Sequence, residues 1–291
     1  MTIDPRILKL YDEYTHAPLP RRVFLERLSA LCGSTAAAAA LLPLLDSNYA
    51  NAATIGTDDA RIATSWITYK GTKGDVKAYL ATPKTGPARR PGVIVVHENR
   101  GLTPHIQDVT RRIAVAGFTG LGVDLLSALG GTPADEDQGR DLFAKIDRNS
   151  AYLDAVAAIP YLESRSDAAG TVGAVGFCFG GQIVNQMAVA SPDLDAAVAF
   201  YGRQPATTDV PRIKARVQLH YAGNDDGINA GIAAYEAALK ANGVRYEQHV
   251  YPGVEHAFHN DSSAARYDKA AAELAWTRTI AFFKAALGNP A

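Results

Sequence analysis

Cysteine is nearly absent from this 291-residue chain: Cys32 and Cys178 are the only two. So far apart in sequence, they cannot build a multi-bridge secreted scaffold, and any cysteine chemistry must rest on a single thiol. Charge of one sign is also missing, since 29 Lys and Arg stand against 30 Asp and Glu. A polyanion would find no basic footprint, which excludes nucleic-acid recognition as the main task. An N-terminal uncharged stretch, Leu28 to Leu45, is interrupted by Gly33, Ser34, Thr35 and Pro43, a poor composition for a membrane span. No repeat of fixed period occurs. What is present is ordinary: 47% hydrophobic residues build a core and exclude disorder.

Two readings compete for residues 1–53. Arg21-Arg22-Val23-Phe24-Leu25, the uncharged stretch and Ala50-Asn51-Ala52 together resemble a twin-arginine export signal with a small-residue cleavage site, which would direct the protein to the periplasm. Against this, Asp4-Pro5 is a helix start, and Ile7, Leu10, Tyr11 and Tyr14 share one helical face. Phe24, Leu28 and Leu31 make a second apolar stripe. Acidic residues at Asp12, Glu13 and Glu26 are atypical of export peptides, so a retained helical arm on a cytoplasmic protein ranks first. Such an arm is a candidate for covering a pocket or for homodimer contacts.

From Thr54 to Ala291 the apolar pattern alternates between periods of two and 3.6. Strands are expected at Ile62–Tyr69, Val76–Thr82, Gly92–Val96, Thr119–Asp124, Val172–Gly176, Ala196–Tyr201, Val217–Ala222 and Tyr246–Tyr251. Helices are expected at Ile106–Ala116, Tyr152–Leu162, Gly181–Ala190, Ile232–Ala241 and Ala270–Leu287, with a solvated loop from Gly130 to Gly139. Strands spaced by helices predict an α/β fold, a mostly parallel sheet with helices on both faces and function at the strands' carboxyl ends.

One strand end carries Gly176-Phe177-Cys178-Phe179-Gly180, a G-x-C-x-G turn into a helix. This is the nucleophile elbow of a hydrolase sheet with sulfur for oxygen. A helix N-terminus favours the thiolate; a buried structural cysteine is the competing assignment. On this sheet an acid and then a histidine should follow at later strand ends. Gly223-Asn224-Asp225-Asp226 supplies the acid, Asp225 being nearer the strand, and Glu255-His256-Ala257-Phe258 supplies the base.

These motifs, with His97-Glu98 closing the apolar strand Val93–Val96, resemble the dienelactone hydrolase family of α/β-hydrolases over roughly Thr54 to the C-terminus. The resemblance implies a Cys-Asp-His triad with Cys178 as nucleophile, His256 as general base and Asp225 orienting its imidazole. It further implies that Glu98 assists thiol deprotonation and that backbone N–H groups of Phe179 and Asn99 form the oxyanion hole. The implied activity is hydrolysis of a small carboxylic ester or lactone of the carboxymethylenebutenolide type. A promiscuous esterase or acyl-transfer enzyme, and a thiol-sensing binding protein, are the alternatives. One position departs from the family: an arginine four residues after the histidine, which contacts the lactone carboxylate in well-known members, is Asn260 here. Arg100 and Arg203 follow strand ends and are candidate replacements, expected to pair with Glu98, unless they are plain surface arginines. Tyr201 could line the site. No metal or organic cofactor is called for, because His256-x-x-His259 lacks an accompanying ligand pattern and Gly120-Leu121-Gly122 lacks the third glycine of a dinucleotide site.

Overall fold

The computed structural model describes residues 3–16, 19–45 and 54–288. The small-residue stretch at 50–53 lies outside the described residues. Three helices come first, α1 (Pro5–His16), α2 (Arg21–Cys32) and α3 (Thr35–Leu45). Gly33, at φ 78°, turns the chain between the last two. The apolar stripes on α1 and α2 meet: Ile7, Leu10, Tyr11, Tyr14, Phe24 and Leu28 are all buried in one cluster. Tyr14 stacks on Phe24 at 4.2 Å between ring centres. Among the described residues no single helix is long and apolar enough to cross a membrane, and α2 meets α3 at 109°.

The remainder is an eight-stranded sheet. A hairpin of β1 (Ile62–Gly71) and β2 (Gly74–Pro83) turns through Thr72-Lys73 and pairs antiparallel along its length. β3 (Arg90–Val96), β4 (Thr119–Val123), β5 (Ala168–Phe177), β6 (Ala196–Phe200), β7 (Arg216–Asn224) and β8 (Tyr246–Glu255) follow, in the spatial order β1-β2-β4-β3-β5-β6-β7-β8. Every pair from β4 to β8 is parallel. Parallel strands need crossovers, and helices supply most of them: α4 (Pro104–Val115), α5 (Glu136–Phe143), α6 (Arg148–Glu163), α7 (Phe179–Ala190), the short α8 (Asp226–Asn229) and α9 (Ile232–Ala241), while a 3-10 turn at Thr207–Arg212 links β6 to β7 and α10 (Lys269–Leu287) follows β8. Val93, Ile94, Val95 and Val96 are all fully buried because both faces of β3 are covered, which is why that strand is a continuous apolar run. One core lies under α6, α7 and α9 and the other under α4 and α10.

Two expectations needed correction. The acidic run in the Gly130–Gly139 stretch is not all loop, because Asp135 caps α5 by accepting from the Gln138 N–H at 2.8 Å and Glu136 and Asp137 form its first turn. Carboxylates are stable there for the same reason that they suggest a solvated loop: they complement the exposed N–H groups of the helix start. Second, several elements start earlier than the apolar pattern predicts: α4 by two residues, with Pro104 at its first position, and α6 and β5 by four each.

Candidate active site

The carboxyl ends of β3, β5, β6, β7 and β8 surround a cavity of about 280 Å³. β5 delivers Cys178, which sits at φ 55° and ψ −113°, a region that residues with a Cβ avoid. The surrounding backbone imposes this conformation. A Cβ on Gly176 would lie 2.0 Å from the Gly180 carbonyl oxygen, and one on Gly180 would lie 2.2 Å from that of Val96. Only glycine permits so tight a turn at these positions. The Cys178 N–H donates to the Phe200 carbonyl at 3.0 Å, and the Cys178 carbonyl accepts from Gln182 N–H at 3.1 Å, which fixes the thiol at the N-terminus of α7.

β7 and β8 deliver the acid and the base. His256 Nδ1 and Asp225 Oδ2 are 2.5 Å apart, a charge-assisted bond that places the proton on Nδ1 and makes Nε2 the basic nitrogen. Asp225 is itself held, its Oδ1 accepting from the Ile228 N–H at 3.3 Å as it caps α8. Asp226 starts that helix. Cys178, Asp225 and His256 line the same cavity, together with Phe179 and Asn99. Tyr201 and Ala257 beside them also have positive φ, 39° and 64°, and with Cys178 they are the non-glycine residues of the described chain that do. Strain of this kind concentrates where a site over-determines its backbone.

Glu98 lies beside Tyr201. Asn260 Nδ2 donates to Glu98 Oε2 at 2.7 Å, and the Tyr201 hydroxyl stands 3.5 Å from Oε1. Burial first, then the charges of Glu98 and Cys178, push the Tyr201 hydroxyl well above its ordinary value, so it remains a donor. At least one of Arg100 and Arg203 was expected to pair with Glu98; the contacts of Glu98 seen among the described residues are with Asn260 and Tyr201. Arg100 meets Glu136 of α5 at 3.1 Å, and Arg203 lines the cavity. Asn260 is buried, with its Oδ1 accepting from Ser262 Oγ at 2.5 Å and Ser262 N–H at 3.1 Å.

The histidines separate by environment. His97 donates from Nδ1 to the Glu98 carbonyl at 2.6 Å and accepts at Nε2 from Leu125 N–H at 3.1 Å, a fully committed core residue whose burial lowers its pKa. His259 is buried between Phe177, Phe200 and Trp276, away from the Asp225 bond made by His256. The sequence pattern missed Arg148, Phe143 and Gln182, which also line the cavity. Arg148 is the first residue of α6 and lies 5.8 Å from the Phe179 ring, a placement that depends on how α6 crosses the sheet and leaves no periodic trace.

A family model described as dienelactone hydrolase matches residues 76–287, and one described as YqhI-like matches residues 1–31. Protein usf of Aquifex pyrophilus is 36% identical over 221 residues, covering 72% of this chain and 93% of the relative. A protein of Saccharolobus solfataricus provisionally named carboxymethylenebutenolidase is 28% identical over 256 residues, covering 75% and 97%. A crystal structure from Klebsiella pneumoniae, described as a provisional dienelactone hydrolase, is 28% identical and superposes with a TM-score of 0.69, covering 76% of this chain and 98% of that one.

Proposed function

The chain belongs to the dienelactone hydrolase family and is an ester or lactone hydrolase of the α/β-hydrolase fold, and on that premise we propose that it acts through an acyl-enzyme on Cys178. The observation that carries this reading is the strained thiol at the start of α7 sharing one cavity with a histidine whose Nδ1 is bound to Asp225.

Nucleophilic attack begins when the Cys178 proton passes to His256 Nε2, with Glu98 as an assisting base, and the thiolate bonds to the substrate carbonyl carbon. The oxyanion takes hydrogen bonds from backbone N–H groups of Phe179 and Asn99. Collapse breaks the carbonyl–oxygen single bond, and His256 returns its proton to the departing alkoxide; from a lactone the alcohol stays tethered to the acyl group. A water then loses a proton to His256 and attacks the thioester; the C–S bond breaks, His256 returns that proton to the Cys178 sulfur, and the carboxylic acid leaves. The cavity volume of about 280 Å³ lies just below the usual range for drug-sized ligands, roughly 300–1,000 Å³, which suits a small acyl group. Arg203 and Arg148 provide the positive wall that Asn260 does not.

Hydrolysis of a p-nitrophenyl ester and of a small lactone by wild type, Cys178→Ala and His256→Ala tests the reading. Loss of turnover in both folded variants is expected, with a mass increase on Cys178 during slow turnover. Equal rates in wild type and Cys178→Ala overturn it.

A further inference from the structure

A second cavity, of about 500 Å³, adjoins the one that holds Cys178, and Arg203 and Gly227 line both. Its walls come from the loop after β6, including Gln204 and Thr207, and from α9, which contributes Tyr235. Gln204 Nε2 donates to the Ile228 carbonyl at 3.1 Å, which ties that loop to α8 and fixes the border between the two cavities. The backbone of Arg203 is fixed as well, its carbonyl accepting from the amide of the buried Asn185 at 3.1 Å. Arg203 is nevertheless exposed, and its guanidinium makes no ion pair among the described residues. The buried Tyr235 hydroxyl has no hydrogen-bond partner among them either. The second cavity therefore offers a fixed cation and an unused polar group beside the reaction site.

Proton transfer decides which part of a substrate faces it. The departing alkoxide takes its proton from His256, so the alcohol part of an ester lies on the His256 side of the first cavity. That side borders α8, because Asp225 binds His256 and caps α8 through the Ile228 N–H. The acyl part is left with the side nearer Phe179, where the Phe143 and Phe179 rings meet edge to face at 4.7 Å and Arg148 lies beside both. We propose that the second cavity is the subsite for the alcohol part of the substrate, and that Arg203 selects alcohols bearing a carboxylate or similar anionic group. The inference rests on the acyl-enzyme reading above. A compact acyl group fills the first cavity while the alcohol passes Gly227, where even an added Cβ would meet nothing within 4 Å. An open-chain ester of an anionic alcohol gains most from this arrangement, since the ring of a small lactone ties the alcohol to the acyl group and shortens its reach.

Two isomeric esters with one carboxylate each test this on the full-length protein. γ-Acetoxybutyrate carries its charge on the alcohol part, and monoethyl succinate carries it on the acyl part. The readout is the ratio of kcat/KM for the first over the second, in which effects on the shared chemistry cancel. Arg203→Gln is expected to lower the ratio about fivefold, the weight of one exposed charge interaction, and Arg148→Gln to raise it. Gly227→Glu, which sets a carboxylate at the passage between the cavities, should lower the ratio further, and Gly227→Lys should raise it. A ratio unmoved or raised by Arg203→Gln, or insensitive to the sign of the charge at position 227, overturns the proposal. So does a wild type that hydrolyses monoethyl succinate and leaves γ-acetoxybutyrate intact. Hydrolysis that persists in Cys178→Ala would instead refute the acyl-enzyme reading, and the ratio in the Arg203 and Gly227 variants would still report where the alcohol part lies.

Discussion

Removing the Cβ of the proposed nucleophile should stabilise the protein. Glycine normally destabilises a position relative to alanine by roughly 0.5–1 kcal/mol, through the extra backbone freedom that folding must remove. At φ 55° and ψ −113° the balance reverses, because any L-residue with a Cβ stores about 1–3 kcal/mol of backbone strain. Cys178→Ala keeps the Cβ and loses the sulfur, whereas Cys178→Gly loses both, so comparing these two variants cancels most effects of the missing thiol. Cys178→Gly is expected to be the more stable by about 1–2 kcal/mol, equivalent to roughly 2–6 °C in melting temperature for a chain of this size. Urea unfolding with matched slopes and scanning calorimetry both measure the difference. Cys178→Gly less stable than Cys178→Ala by the ordinary helix-terminus margin would mean that the elbow is relaxed, and the argument from strain to function would fail.

Other expectations follow from single contacts. Gly180→Ala places a Cβ 2.2 Å from the Val96 carbonyl oxygen, which is backbone and cannot swing aside, so the variant should lose more than about 2 kcal/mol and most activity. Burial alone would raise the Asp261 carboxyl, but His105 at 2.9 Å and the Arg112 guanidinium outweigh it and hold it at about 2, below its ordinary 3.8. A depressed carboxylate stabilises the fold above 3.8 and loses that contribution as pH falls towards 2. Asp261→Asn should therefore destabilise the protein by about 1–2 kcal/mol at pH 7 after allowance for solvent screening, and the gap to wild type in urea melts should narrow below pH 4. Arg203→Ala should raise KM for carboxylate-bearing esters about fivefold relative to their methyl-capped analogues, the weight of one exposed charge interaction.

The alternation of strand and helix was readable because each period belongs to one kind of burial. Val93–Val96 is apolar throughout because helices cover both faces, and Ile7, Leu10, Tyr11 and Tyr14 are spaced to meet Phe24 and Leu28. Nucleophile, acid and base were readable as candidates because a strand-to-helix turn that admits no Cβ on either side must be written with glycine. Contacts between distant segments were not. Tyr14 and Asp137 are 123 positions apart, and Asn260 and Glu98 are 162 apart. Nothing local to either partner distinguishes an asparagine that binds substrate from one that holds a carboxylate. The acidic run at Asp135–Asp137 shows the same limit in reverse, since its composition fits a loop and a capped helix start equally well until Gln138 is seen donating to Asp135.

Asn260 is where the resemblance to well-known family members is weakest, and its surroundings explain why an arginine cannot simply be restored there. The side chain is 5% exposed, and both ends of its amide are engaged: Nδ2 with Glu98, Oδ1 with the hydroxyl and N–H of Ser262. Asn260→Arg would remove the acceptor for two buried donors, at about 1–3 kcal/mol, and force a longer chain into occupied space at a similar penalty. Glu98 would gain a cation in exchange for its amide partner, which ties the carboxylate more tightly and weakens it as a base towards the thiol. The expected variant is several degrees less stable, with kcat reduced for anionic and neutral esters alike and no selective gain for the anionic ones. Selective improvement on carboxylate-bearing lactones in a variant as stable as wild type would show that position 260 still faces the substrate, and that the cavity arginines are not its replacement.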